Sequence, residues 1–135
     1  MYMTEGLGHV GRSSRHVRAQ DVPAVEEPHN LLRLRPMLTG RDSGDELSVT
    51  WVQLDGRHRR LRVRRTTRTY YVLSGAFTFH VGGEPPVVVS ADDVLLLERD
   101  AAYWFEGRGS YLVLNTPAFS PDDDEYLEDE PVQRT

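Results

Sequence analysis

Short runs of strand composition, some of them alternating apolar and polar positions with a period of two, recur along most of the chain. "LLRLR" (31–35) comes first, then "ELSVTWVQL" (46–54), "RLRVRR" (60–65), "TYYVLS" (69–74) and "AFTFHV" (76–81). "PVVVS" (86–90), "VLLLE" (94–98), "YWF" (103–105) and "SYLVLN" (110–115) complete a set of nine. β-Branched and aromatic residues fill these runs, and such side chains suit a pleated, half-buried strand. Turn-forming stretches separate them: "TGRDSGDE", "LDG", "VGGE", "SADD" and "EGRG". No segment carries a convincing helical stripe, a heptad or an internal repeat. Short strands recurring about every ten residues predict an all-β sandwich or barrel.

The flanks read differently. Residues 1–17 are polar, aperiodic and contain Gly and Ser, so they predict a disordered or loosely attached arm. "VRAQDVPAVEEPHN" has two prolines and no stripe, and is expected to lie extended across the domain. Residues 18–120 form the single domain that 135 residues allow, and a chain of this size needs no disulfide or metal to hold its core. Residues 121–135 open on "PDDDEYLEDE" and are expected to be an acidic, solvated tail.

Composition then removes whole classes of chemistry. Without cysteine there is no zinc ribbon, iron–sulfur cluster or thiol nucleophile. All 16 basic residues are Arg, so no lysine is present to form a Schiff base. A net charge of −5 argues against a general nucleic-acid partner. No apolar run has signal-peptide or membrane-span length, so a soluble, cytoplasmic protein without a membrane partner is expected. The balance is uneven, however, since seven of the arginines fall between Arg57 and Arg68.

From "TYYVLSG" to "NTPAF" the chain resembles a cupin, the small double-sheet jelly roll, over roughly residues 45–119. The resemblance implies a cupin-type barrel. Metal-binding cupins hold their ion with two His and a Glu from a first motif and a His from a second. Counting back from Gly75 puts the Glu position at Arg68 and, with a three-residue spacer, the two His positions at Arg62 and Arg64. In the second motif Asp92, Glu98, Asp100, Tyr103 and Gly107 take the places of Gly, Pro, Gly, His and Asn. A guanidinium has no lone pair to donate and stays protonated, so neither a metal nor another cofactor is expected. "TYYVLSG" followed by "TPAFSPDDDEYL" is also similar to the metal-free cupin dehydratases of uridyl-peptide antibiotic biosynthesis. Those enzymes expel the 3′-hydroxyl of a nucleoside 5′-aldehyde with tyrosine and histidine side chains. The resemblance places their tyrosine at Tyr70 and their histidine at Arg57 or His58.

Alternation puts Arg68, Tyr70 and Val72 on one inward face. Arginines beside a phenol are expected to lower its pKa, making Tyr70 an acid–base group, with His58 a second candidate. Tyr103 is expected to steady a carbonyl or enolate oxygen. Arg57, Arg62, Arg64 and Arg68 would bind a polar or anionic small molecule through forked hydrogen bonds. One residue of register decides Arg62 and Arg64: with a four-residue spacer, Leu61 and Val63 face inward instead. His80 is given no role, while His9, His16 and His29 read as surface. Asp92, Asp93, Glu98 and Asp100 read as ion-pair partners for the arginines.

The favoured function is a metal-independent dehydratase, lyase or isomerase. A non-catalytic sensor or carrier of an anionic ligand is the alternative. An interaction module that joins the arginine strand to the acidic tail across chains is a third reading. A homodimer is expected by analogy with other cupin-type jelly rolls.

Overall fold

The computed structural model describes residues 14–27 and 30–128. It contains eight strands: β1 (Val25–Glu27), β2 (Leu32–Leu38), β3 (Ser48–Val63), β4 (Thr67–Val81), β5 (Val87–Ser90), β6 (Val94–Leu97), β7 (Ala102–Thr116) and β8 (Asp124–Tyr126). A single helical turn, α1 (Gly40–Ser43), stands where "TGRDSGDE" reads as a loop. All strand pairs are antiparallel, and β3, β7 and β4 lie side by side at the centre.

Six of the expected strands are halves of these three long ones. The 16 residues of β3 span two runs, as do the 15 each of β4 and β7. The "turn" signals between the halves mark bends within continuous ladders. Gly56 pairs Gly107, and Gly75 pairs Gly109, so glycines align where the three strands cross from one half-sheet to the other. Gly75 has φ +76, and a Cβ there would overlap the Arg108 carbonyl, so only glycine fits. One half-sheet runs β1-β2-β3-β7-β4-β6 and the other β8-β3-β7-β4-β5. Their inner faces meet in one core, with Val52, Leu54, Val72 and Tyr111 from the first half and Leu61, Phe77, Phe79 and Phe105 from the second.

Two bulges reset which residues face inward. On β3, His58 pairs Phe105 and Leu61 pairs Tyr103, so three steps on β3 match two on β7. The extra residue shifts alternation by one. His58 is therefore buried, and so are Leu61 and Val63. This corrects the inward placement of Arg62 and Arg64, which occupy the outer face. The second bulge, between Val72 and Ser74 on β4, lets Tyr70 and Phe77 share the inner face despite their odd spacing.

The C-terminal segment is also corrected. Residues 121–128 are bound to the arginine-rich strand of their own chain. β8 pairs Leu61–Val63 of β3. Asp123 accepts from the Arg65 backbone N–H at 2.8 Å, and Glu125 pairs Arg64 at 2.7 Å. Glu128 takes both Arg57 guanidinium nitrogens, at 2.9 and 3.0 Å, and the Arg60 N–H at 2.6 Å. Opposite charges close enough to share hydrogen bonds hold the segment down. At the other end, residues 1–13 of the expected arm lie outside the described residues, with His9, and so does His29. His16 is exposed. Among the described residues no helix is long and apolar enough to cross a membrane.

Candidate functional site

A cavity of about 210 Å³ opens between the β1–β2 edge, the central strands and β8. Its apolar wall comes from Leu32, Leu34, Val52 and Val113, and its polar groups include His58, Arg68, Tyr70, Tyr111, Asn115 and Asp124. Alternation along unbulged β7 explains why Tyr111, Val113 and Asn115 all reach it.

Arg68 is the buried hub. Its Nε donates to Asn115 Oδ1 at 2.7 Å, Nη1 to the Tyr103 hydroxyl at 3.3 Å, and Nη2 to Asp124 Oδ1 at 2.9 Å. The Tyr103 hydroxyl in turn meets that of Tyr70. Either hydroxyl can donate in this contact; Tyr103 already accepts from Arg68, and in the outward-running arrangement it gives its own proton to Tyr70. The Tyr70 proton is then free to point into the cavity. Arg68, Tyr103 and Tyr70 thus form a donor relay whose outer member lines the cavity.

The electrostatics correct the expected activation of Tyr70. Burial pushes its hydroxyl well above the usual phenol range, the adjacent Tyr103 adds to this, and Arg68 only partly opposes it. Burial likewise raises Tyr103 against the pull of Arg68. Desolvation is the largest influence on both phenols, and Asp124 adds a smaller upward push on Tyr103. Asp124 itself is raised by burial, with Arg68 opposing. Both phenols are therefore neutral donors near pH 7 rather than phenolate bases.

His58 supplies the missing acceptor. Its Nδ1 lies 2.9 Å from the Arg59 carbonyl, which can only accept, so the proton sits on Nδ1 and the Nε2 lone pair is free. Nε2 has no protein partner among the described residues, and the ring lines the cavity. The ring stacks on Phe105 at 4.8 Å, and Tyr70 packs edge-on against the same Phe105 at 5.4 Å. Burial, followed by the Arg68, Arg59 and Arg57 charges, lowers the His58 pKa to about 4 despite the Arg59 carbonyl. The imidazole is neutral at pH 7.

Of the seven predicted site residues, His58, Arg68, Tyr70 and Tyr103 come together, with Tyr103 one layer behind the cavity wall. Arg57, Arg62 and Arg64 do not join them. Arg57 lies outside the barrel over Trp104 at 4.4 Å, paired with Glu128. Arg64 is more than half exposed and also approaches Asp100 at 3.9 Å. His80 stacks on Trp104 at 3.9 Å, away from the cavity. Sequence reading missed Tyr111, Asn115, Asp124, Glu27 and Tyr126. Tyr111 and Asn115 are signalled by period-two spacing from Tyr103, whereas nothing local marks Asp124 as a partner for Arg68.

The donor set does not fit a divalent metal. Arg68 places a cation in the wall, and among the described residues no three His, Cys, Asp or Glu side chains cluster to hold an ion.

The chain superposes on several solved structures. A Streptomyces protein described as Pac13, a unique nucleoside dehydratase, matches with TM-score 0.73 at 17% identity, over 88% of this chain and 95% of that one. Forms of it carrying a single histidine or tyrosine substitution were solved with uridine. The polyketide cyclase RemF from Streptomyces resistomycificus matches with TM-score 0.71 at 17% identity, over 86% of this chain and 87% of that one. An RmlC-like cupin from Shewanella frigidimarina matches with TM-score 0.65 at 17% identity, over 80% of this chain and 95% of that one. The fold is that of a cupin. No protein-family model matches the chain. No curated protein matches it either.

Proposed function

We propose that this protein is a metal-independent dehydratase acting on a small hydroxylated aldehyde of the nucleoside 5′-aldehyde type. The observation that carries the reading is the pairing of a lone-pair-bearing His58 Nε2 with a neutral hydroxyl relay in one cavity. A base and an oxyanion donor are the two groups that proton abstraction beside a carbonyl requires. The solved nucleoside dehydratase of the same fold lends support to this substrate type.

In the proposed reaction the aldehyde oxygen accepts from Tyr70, whose hydroxyl is polarised through Tyr103 by Arg68. His58 Nε2 takes the proton from the carbon next to the aldehyde. The C–H electron pair passes into an enolate whose oxygen is held by Tyr70; as the carbonyl re-forms, the enolate double bond shifts to the α and β carbons and the β-hydroxyl departs. That hydroxyl leaves as water, taking its proton from the His58 imidazolium. With a pKa near 4, His58 is a modest base, so much of the barrier reduction falls on enolate stabilisation. Its imidazolium is correspondingly a strong acid. The products are an unsaturated aldehyde and water, with no change of oxidation level overall.

The reading is tested by incubating the protein with uridine 5′-aldehyde and following mass. Loss of one water by wild type, absent in His58→Gln, supports it. An unchanged substrate with wild type would remove the proposed activity.

A further inference from the structure

The polar groups left without protein partners around the cavity include two fixed acceptors. His58 Nε2 is an acceptor, fixed by its tautomer. Glu27 lines the cavity and has one carboxylate oxygen tied to Asn30 Nδ2 at 2.7 Å, which leaves the other available. Asn30 is fully buried, and the same Nδ2 lies 3.0 Å from the Tyr126 hydroxyl at the rim, so Glu27 is held in place rather than trailing in solvent. Tyr111 is 2% exposed and lines the cavity, and its hydroxyl finds no partner among the described residues.

The charge census points the same way. Three charged side chains line the cavity: Glu27, Arg68 and Asp124. Arg68 and Asp124 neutralise each other at 2.9 Å, with side chains 6% and 12% exposed. Glu27 remains, and the wall carries one surplus negative charge. Of the seven arginines from Arg57 to Arg68, only Arg68 contributes to this wall.

We propose that the site selects an uncharged ligand rich in hydroxyl donors and rejects its phosphorylated form, with Glu27 as the specificity-determining residue. This rests on the dehydratase reading above, since it specifies the substrate of the same cavity. A phosphate dianion offers no donor to His58 Nε2 or to the Glu27 carboxylate. It would meet the Glu27 charge with the one available cation already paired. The ribose hydroxyls of an uncharged nucleoside, by contrast, donate to these acceptors and take a hydrogen bond from Tyr111. The free nucleoside level is therefore where the enzyme acts, and any phosphate must be absent from its substrate or removed before it.

Uridine, uridine 5′-monophosphate and uridine 3′-monophosphate, titrated by calorimetry into wild type and Glu27→Gln, test this. Wild type is expected to bind uridine at least tenfold more tightly than either monophosphate, and added salt should narrow that gap by screening the repulsion. Glu27→Gln is expected to close most of it by improving nucleotide binding. Either monophosphate binding wild type as tightly as uridine would overturn the inference and leave the dehydratase reading standing. A gap unchanged by Glu27→Gln would overturn the role given to Glu27. Binding of none of the three would count against the nucleoside reading itself, and the inference would fall with it.

Discussion

The Arg68 guanidinium and the Asp124 carboxylate meet at 2.9 Å, 56 residues apart in sequence and both largely buried. This contact ties the acidic C-terminal segment to the arginine hub of the cavity. It also bears on the relay, because the Asp124 charge adds to the upward shift that burial gives Tyr103.

Asp124→Asn removes that charge. Breaking a buried ion pair from one side is expected to cost about 3 kcal/mol of stability. The more specific consequence is electronic. In a spectrophotometric titration, the Tyr103 step of the variant should move to lower pH, because Tyr103 loses the Asp124 charge that adds to its upward shift. Superimposable titration curves would show that Asp124 does not tune the relay.

The outward register of Arg62 and Arg64 has a simple test. Arg64→Ala removes an exposed pair with Glu125 and should change stability by no more than about 1 kcal/mol. Arg68→Met, which strands Asp124 and frees Asn115 and Tyr103, should cost about 3–5 kcal/mol. Equal costs for the two variants, measured by urea denaturation, would contradict the placement of these arginines.

The buried, neutral His58 makes stability depend on pH. Its folded pKa, about 4, lies below the unfolded value of about 6.5, so the unfolded chain binds more protons between these limits. Its contribution is complete above pH about 6.5 and is lost as pH falls toward 4, with a total on the order of 3 kcal/mol. The difference between wild type and His58→Gln isolates this from carboxylates that titrate nearby. A difference that stays flat across this window would mean that His58 is not buried as described.

Tyr70→Phe deletes the hydroxyl that faces the cavity while keeping the ring on Phe79 and Phe105. Turnover should fall roughly 10²-fold or more, as for removal of one oxyanion donor. Uridine affinity should change far less. Loss of binding without a separate loss of turnover at saturation would recast Tyr70 as a binding residue.

Much of this arrangement is legible in the sequence. Period-two alternation finds the strands, and the spacing back from Gly75 brings Arg68 and Tyr70 to one inward face. Alternation fails where the backbone gains a residue. A rigid period of two cannot place His58, Leu61 and Val63 inward together, and the β3 bulge does so. Likewise, "LDG" and "EGRG" have turn composition, yet Gly56, Gly107 and Gly109 serve the crossing of continuous strands. The phenol pKa values reverse expectation because a sequence displays neighbouring charges but not the depth of burial. Asp124 is hidden for another reason: acidic runs usually solvate, and only the tertiary pairing of β8 with β3 brings this one to Arg68.

The central claim is that His58 Nε2 takes a proton from the carbon beside a bound aldehyde. An analogue that lacks the leaving group, 3′-deoxyuridine 5′-aldehyde, separates that step from elimination. Incubated in D₂O, wild type should exchange the hydrogen next to the aldehyde for deuterium, read by NMR, while His58→Gln should not exceed the background rate. Exchange by His58→Gln at the wild-type rate would contradict the account.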